Sequence, residues 1–272
     1  MSSFRKASWR EIWDIVSRAD VVIEVLDARD PLSTMSKKLE DIVNKLGKRL
    51  LLVLNLSDLV PRNIVEEWVR VLRSRGYHAV YISAKQHKGT RVLRRKIKEI
   101  APSLPVVVAI TGYPKTGKST IINALKGKHS ASTSPIPGSP GYTKYPQLYR
   151  IDRNILMIDT PGVIPVEGSW LDRVIRGENP DQIADPVNPA IELIKKILKH
   201  NEKAFIQAYG IDERDPVKIL EKLAVKRGWF YKTTREPLID QAARTIIKDF
   251  LEGKIPFYVR FYSKDDEHGY SY

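Results

Sequence analysis

Between residues 19 and 160, short runs rich in Val, Ile and Leu alternate with stretches whose apolar residues recur at helical spacing. The runs fall at 21–26, 50–55, 79–82, 106–111 and 155–159. Parallel strands need crossover connections of about a dozen residues or more, usually helical, so this alternation predicts an α/β fold on a mostly parallel sheet. Each run ends in a polar cluster: DARDP, NLSD, SAK, GYPKTGKST and DTPG, in that order. Ligands of open α/β sheets bind beyond the carboxyl ends of the strands, so five clusters at five strand ends describe one crevice. Any single cluster reads equally well as ordinary turn chemistry.

After Trp170 strand-like runs nearly vanish, and helical patterns appear at 190–200, 217–227 and 237–252, broken by Gly210, Gly228 and Gly253. The expected organisation is therefore an α/β domain over residues 1–166 and a smaller, mainly helical domain over 167–272. A short strand at 257–261 would close the second domain. Residues 131–146, ASTSPIPGSPGYTKYP, carry no periodicity and read as an unusually long loop.

Composition narrows the chemistry. The chain has 272 residues, 42% hydrophobic and 29% charged, which suits a folded, soluble protein of two modest domains. It has no Cys, which excludes disulfide scaffolds, Cys-ligated zinc, iron–sulfur clusters and thiol catalysis. The five His residues show no metal-ligand spacing. No apolar run approaches the ~18–20 residues that span a bilayer, and the expected location is cytoplasmic, with no membrane partner. Lys and Arg number 46 against 32 Asp and Glu, a net charge of +14 that favours a polyanionic partner, nucleic acid first.

Gly112, Tyr113, Pro114, Lys115, Thr116, Gly117, Lys118 and Ser119 fit GxxxxGK[ST], after a strand and before the helical STIINALKG. Such a loop wraps a phosphate chain with backbone N–H groups, and the helix dipole adds to the attraction. Lys118 is expected to reach the β- and γ-phosphates, Ser119 to ligate Mg²⁺, and Thr120 to follow it in the nucleotide site. Asp159, at the end of the ILMI run, is the expected anchor for Mg²⁺, and Gly162 can donate its N–H to a γ-phosphate. Thr143, near the end of the long loop, is the hydroxyl expected to complete the Mg²⁺ shell when a γ-phosphate is present. Lys118, Thr143 and Gly162 are thus the candidate catalytic residues.

Asn55-Leu56-Ser57-Asp58 matches N-x-x-D at a strand end. A carboxylate is an acceptor-only fork that takes both N1–H and N2–H of guanine, and adenine offers no such pair. Ser83, Ala84 and Lys85 supply a backbone N–H for the base carbonyl and a stem to pack on the ring. The implied ligands are GTP and GDP with Mg²⁺.

With these motifs in view the chain resembles the translation-factor-related GTPases, and more narrowly the circularly permuted YlqF/YawG-type ribosome-assembly GTPases. In ordinary GTPases the phosphate loop precedes the base motifs. Here NLSD and SAK precede GYPKTGKST, PGYT and DTPG, and the group's DARxP element is present as Asp27-Ala28-Arg29-Asp30-Pro31. The resemblance covers residues 19 to 162 by motif and continues more loosely through LEKLAVKRGWF to Gly253 and Lys254. It implies a circularly permuted P-loop GTPase domain followed by an RNA-binding helical region. It also implies a role in large-subunit assembly, through ribosomal RNA or the subunit itself, for a chain expected to be monomeric. The alternative is a nucleotide-gated RNA- or protein-binding module with little hydrolysis of its own.

Three positions depart from commoner forms. Ser57 replaces a Lys whose stem stacks on guanine, which weakens affinity but leaves specificity with Asp58. Val163 stands where many GTPases have the Gln that orients water, so intrinsic hydrolysis is expected to be slow and partner-activated, as is usual in this group. Lys115 stands where potassium-activated relatives carry Asn. It either replaces the cation's charge among the phosphates or points to solvent. Because the segment after DTPG leads into the helical domain, nucleotide state is expected to reposition a basic helical surface. Lys195, Lys196, Lys199 and His200, and Lys226 to Lys232 with Trp229, Phe230 and Tyr231, are its suggestive sites, although Trp229 and Phe230 read equally well as core. The run 91–98 reads as a solvated helix face rather than a dedicated RNA contact.

Overall fold

The computed structural model describes residues 7–126, 148–158 and 164–261. The five runs become β1 (Val21–Asp27), β2 (Arg49–Asn55), β3 (His78–Tyr81), β4 (Val106–Thr111) and the last strand of the sheet, Ile155–Ile158. A strand absent from the sequence expectation, β5 (Leu148–Asp152), precedes that last strand, β6, and pairs with it antiparallel, with a register irregularity between Arg150 and Asp152. Of β5 only Ile151 is buried, so its LYRID sequence carries no apolar run; the strand is dictated by its pairing partner rather than its composition.

The sheet order is β3-β2-β1-β4-β6-β5, and every pair but the last is parallel. From β1 the chain proceeds outward to β2 and β3; from β4 it proceeds to the other side. The order therefore reverses between β1 and β4, and the crevice at their carboxyl ends is the topological switch point where such sheets bind ligands. All seven residues of β1 are buried, as expected of a central strand covered on both faces.

Among the described residues five α-helices cover this sheet: α1 (Trp9–Arg18), α2 (Lys37–Lys45), α3 (Arg62–Ser74), α4 (Thr90–Ile100) and α5 (Lys118–Lys126). Ser8 and Glu11 close a reciprocal capping box that starts α1. In α4 the apolar residues Leu93, Ile97 and Ile100 recur at helical spacing and are buried, with α5, against one face of the sheet. Helices α1 and α2 pack on the other face around Val22 and Ala109.

A second compact unit, Glu167–Val259, is all helical: α6 (Trp170–Gly177), α7 (Val187–His200), α8 (Ala204–Tyr209), α9 (Pro216–Lys226) and α10 (Ile239–Leu251). Its own core includes Leu193, Ile197, Leu220, Leu223, Ile246 and Ile247. Helices α7, α9 and α10 match the sequence expectation. The eight-residue α6 and six-residue α8 were not expected, since two turns or fewer show no reliable period. The expected strand at 257–261 does not form. Instead Phe257 is buried in the helical core, while Arg260 and Phe261 belong to the first unit, where the Phe261 ring stands edge-on to Trp68 at 5.5 Å. The helical unit thus ends earlier than the expected 167–272 span.

Candidate nucleotide site

The phosphate loop leaves β4 at Gly112 and ends where α5 begins at Lys118. Two of its glycines are sterically required. A Cβ on Gly112 (φ +140°) would lie 2.6 Å from the carbonyl oxygen of Val25, a backbone atom of the neighbouring strand that cannot yield. A Cβ on Gly117 (φ +89°) would collide with the side-chain amide of Asn55. Lys115 also has a positive φ, +64°, and is half-buried. A non-glycine residue in that conformation carries backbone strain, which accumulates at ligand-clamping loops.

Tyr113 and Pro114 are buried, and Tyr113 anchors the loop in the core beside Val22 and Ile158. The Tyr113 carbonyl accepts from Thr116 Oγ1 at 2.9 Å and from Lys118 Nζ at 2.6 Å, so the ammonium is held against the loop's own backbone. Ser119 and Thr120, at the start of α5, are exposed. These features fit a phosphate chain: a glycine-relieved backbone, a largely buried cation folded onto the loop, and free hydroxyls at a helix N-terminus. Ser119 is placed to contribute a hydroxyl to Mg²⁺, which when bound would neutralise phosphate charge. Thr143, Asp159, Gly162 and Val163 lie outside the described residues.

The base-recognition segments converge on the same end of the sheet. Asn55, 1% exposed, closes β2. Its Oδ1 accepts from the backbone N–H of Ala84 at 3.1 Å, and its Nδ2 donates to the carbonyl of Thr116 at 3.0 Å. One side chain therefore joins the SAK loop to the phosphate loop. Asp58 is exposed, and Ser83 Oγ donates to its Oδ1 at 2.7 Å. Ser83 is itself fixed by reciprocal backbone bonds with Lys88, 3.1 and 3.0 Å. Leu56 turns the chain in the left-handed region (φ +63°), which presents Ser57 and Asp58 at the crevice. Lys85 is exposed at the start of the following turn. The structure thus brings together every described candidate, from Asn55 to Lys85 and from Gly112 to Thr120.

The sequence marks DARDP as a polar cluster at a strand end and as a family element, but not its structural role. Asp27 and Arg29 form a buried bidentate ion pair, Nε to Oδ1 at 3.0 Å and Nη2 to Oδ2 at 2.8 Å, each side chain 1% exposed. The N–H of Ala28 donates to the Asn55 carbonyl at 2.8 Å, so this turn is locked to the base strand at the switch point. The signal was present: an Asp and an Arg two residues apart, at the end of a strand apolar but for Glu24. Also missed was Glu24, buried within β1, whose carboxyl burial pushes up to about 8 although Oε1 accepts from the N–H of Ser36 at 2.7 Å.

Comparison with known proteins agrees with this geometry. The family model described as "50S ribosome-binding GTPase" matches residues 107–224, beginning at the strand that carries the phosphate loop. The uncharacterized GTP-binding protein MJ1464 of Methanocaldococcus jannaschii is 36% identical over 266 residues, covering 95% of this chain and 69% of that protein. Nucleolar GTP-binding protein 2 of Neurospora crassa is 33% identical over 274 residues, covering 96% of this chain and 43% of that protein. The chain spans about half the length of such eukaryotic relatives. Among solved structures, GNP-bound YlqF from T. maritima shares the fold, with a TM-score of 0.65 at 24% identity, covering 92% of this chain and 95% of that one. No helix among the described residues is long and apolar enough to cross a membrane. With its base motifs ahead of its phosphate loop, this chain belongs to the circularly permuted P-loop GTPases, the family of these GTP-binding proteins.

Proposed function

We propose that the protein binds GTP with Mg²⁺, hydrolyses it to GDP and phosphate, and uses the cycle to time its release from an assembling large ribosomal subunit. The observation that supports this reading most is the Asn55 side chain, which holds the base loop and the phosphate loop in one frame. Asp58, steadied by Ser83, accepts the N1–H and N2–H of guanine. Backbone N–H groups of residues 112–119 and the Lys118 ammonium hold the phosphates. Ser119, with Thr143 and Asp159, would hold the metal, and Gly162 would meet the γ-phosphate.

Val163 follows DTPG, and an apolar side chain cannot orient the attacking water. Hydrolysis by the isolated chain is therefore slow, and a ribosomal partner supplies or orders the missing group. The experiment is GTP turnover with and without large ribosomal subunits, alongside co-sedimentation with a non-hydrolysable analogue. Strong stimulation and analogue-dependent co-sedimentation are expected. Unstimulated turnover with intact co-sedimentation would favour a nucleotide-gated binding module instead, and effective competition by ATP would reject the guanine assignment.

A further inference from the structure

The positive charge is divided unevenly. Residues 1–166 with 260–272 carry 30 Lys and Arg against 17 Asp and Glu, a net +13, whereas 167–259 carry 16 against 15, a net +1. The helical unit is close to neutral overall: Arg227, Lys232 and Arg235 are exposed beside the exposed rings of Phe230 and Tyr231, but several of its other cations are committed to carboxylates. Lys195 pairs with Glu192 at 2.8 Å, Lys222 with Glu213 at 2.8 Å, and Arg214 with Glu202 at 2.7 Å. The larger excess of positive charge lies on the GTPase unit.

Within that unit the cations are densest at 85–98, where Lys85, Lys88, Arg91, Arg94, Arg95, Lys96 and Lys98 occur without an intervening acid. Leu93, Ile97 and Ile100 turn inward from α4, so the basic residues occupy its outer surface. Helix α3 adds Arg70 and Arg73 across the free edge of β3, and between α3 and α4 a groove of about 840 Å³ follows that edge. Its apolar lining includes Val65, Val69, Val80 and Val92 and its basic lining Arg70, Arg73 and Lys88; Glu66 also lines it, and Asp58 and Ser83 of the nucleotide site bound it, so the cations form the rim outside that site. Some of these cations have partners: Lys96 pairs with Glu99, Lys98 with Asp152, and Arg94 donates to the Leu125 carbonyl. Arg70, Lys88, Arg91 and Arg95 are exposed and make no ion pair among the described residues.

Three features select the occupant. Arg73 donates twice to the Ala79 carbonyl, at 3.0 and 2.8 Å, which blocks the β3 edge against an added protein strand. Among the described residues Val92 is the exposed large apolar residue on this groove, and its aromatic lining residue, Tyr81, is half-buried with its hydroxyl donating to Glu66 at 3.1 Å, so the face offers no exposed aromatic platform for unstacked bases and no apolar wedge for a lipid surface. Exposed cations on α3, on α4 and on the turn before α4 suit the phosphate backbone of a duplex, which is recognised by charge and shape. We infer that the α3–α4 face of the GTPase unit, and not the helical unit, is the main docking surface for double-helical RNA; the inference rests on the ribosomal reading above.

The test uses the full chain and a labelled RNA duplex of about 20 base pairs, titrated at several salt concentrations. The variant Arg70→Ala/Arg91→Ala/Arg95→Ala is compared with Arg227→Ala/Lys232→Ala/Arg235→Ala on the helical unit. The first should lose at least tenfold in affinity, with its log–log salt slope shallower by about 2 to 3, and the second should stay within about twofold of wild type. Affinity for a GTP analogue should be unchanged in both, which separates the docking face from nucleotide binding and reports intact folding. Wild-type RNA affinity in the first variant, or equal losses in both, would overturn the placement alone. So would retained RNA affinity with lost binding to anionic vesicles. A wild-type chain that binds no duplex even at low salt would overturn the RNA reading itself.

Discussion

The Nδ2 of Asn55 donates to the carbonyl of Thr116 across 61 residues of sequence, at 3.0 Å, while its Oδ1 accepts from Ala84. The SAK loop and the phosphate loop, proposed to hold opposite ends of a nucleotide, thus share one buried side chain. Asn55→Ala leaves both backbone partners without this amide, a cost of about 1–3 kcal/mol for each buried group left unsatisfied. We expect a folded protein whose GTP affinity is about 10- to 100-fold weaker, read by titration of a fluorescent GTP analogue. Undiminished affinity would show that the loops hold their geometry without it.

Specificity is expected to lie with Asp58 and its support from Ser83. Asp58→Asn replaces an acceptor with a donor at one position of the fork, so guanine should bind about 100-fold or more weakly and xanthine, with a carbonyl where guanine has its amine, should gain. Ser83→Ala keeps the charge and should lose less than tenfold. Competition between GTP and XTP in the two variants decides the matter.

The two loop glycines should fail differently. Gly112→Ala drives a Cβ against the Val25 carbonyl of the central strand, so its damage should appear as a lowered melting temperature. Gly117→Ala meets only the Asn55 side chain, in a positive-φ position, and should chiefly weaken nucleotide binding. Thermal unfolding and nucleotide titration of each variant should separate the two.

Glu24 gives stability a pH dependence. Its folded pKa is raised to about 8 by burial, above an unfolded value near 4.5, so between these limits the native state holds a proton that the unfolded state releases. This contribution is fully present below pH ~4.5 and lost as pH rises through 8, with a slope approaching about 1.4 kcal/mol per pH unit inside the window. Glu24→Gln, neutral and isosteric, should flatten the decline and make the protein more stable than wild type near pH 8. Denaturant unfolding at pH 6 and pH 8 checks this, and an unchanged difference between the two would refute it.

Five of the six strands and the longer helices could be read from apolar runs and periodicity, because each buries enough of its own surface to show a pattern. β5 could not, because an exposed edge strand borrows its conformation from β6. The Asp27–Arg29 pair was visible as residues but not as a pair, since only burial distinguishes it from a charged turn. The charge division between units was also in the sequence, but it needed the boundary at Val259 and the inward face of α4 before it placed the basic surface on the GTPase unit.

The sequence by itself determined the nucleotide chemistry: a phosphate loop between a strand and a helix, an N-x-x-D motif, and their rotated order along the chain. These are local patterns, and backbone geometry makes their spacing meaningful. Only the tertiary structure decided that Asn55 ties the two loops together, that Gly112 lies against Val25, and that Arg70 and Arg73 of α3 share one groove with Lys88 from the turn before α4. Those relations join residues far apart in the chain, and they exist only because the parallel strands bring their carboxyl ends, and the helices beside them, into register.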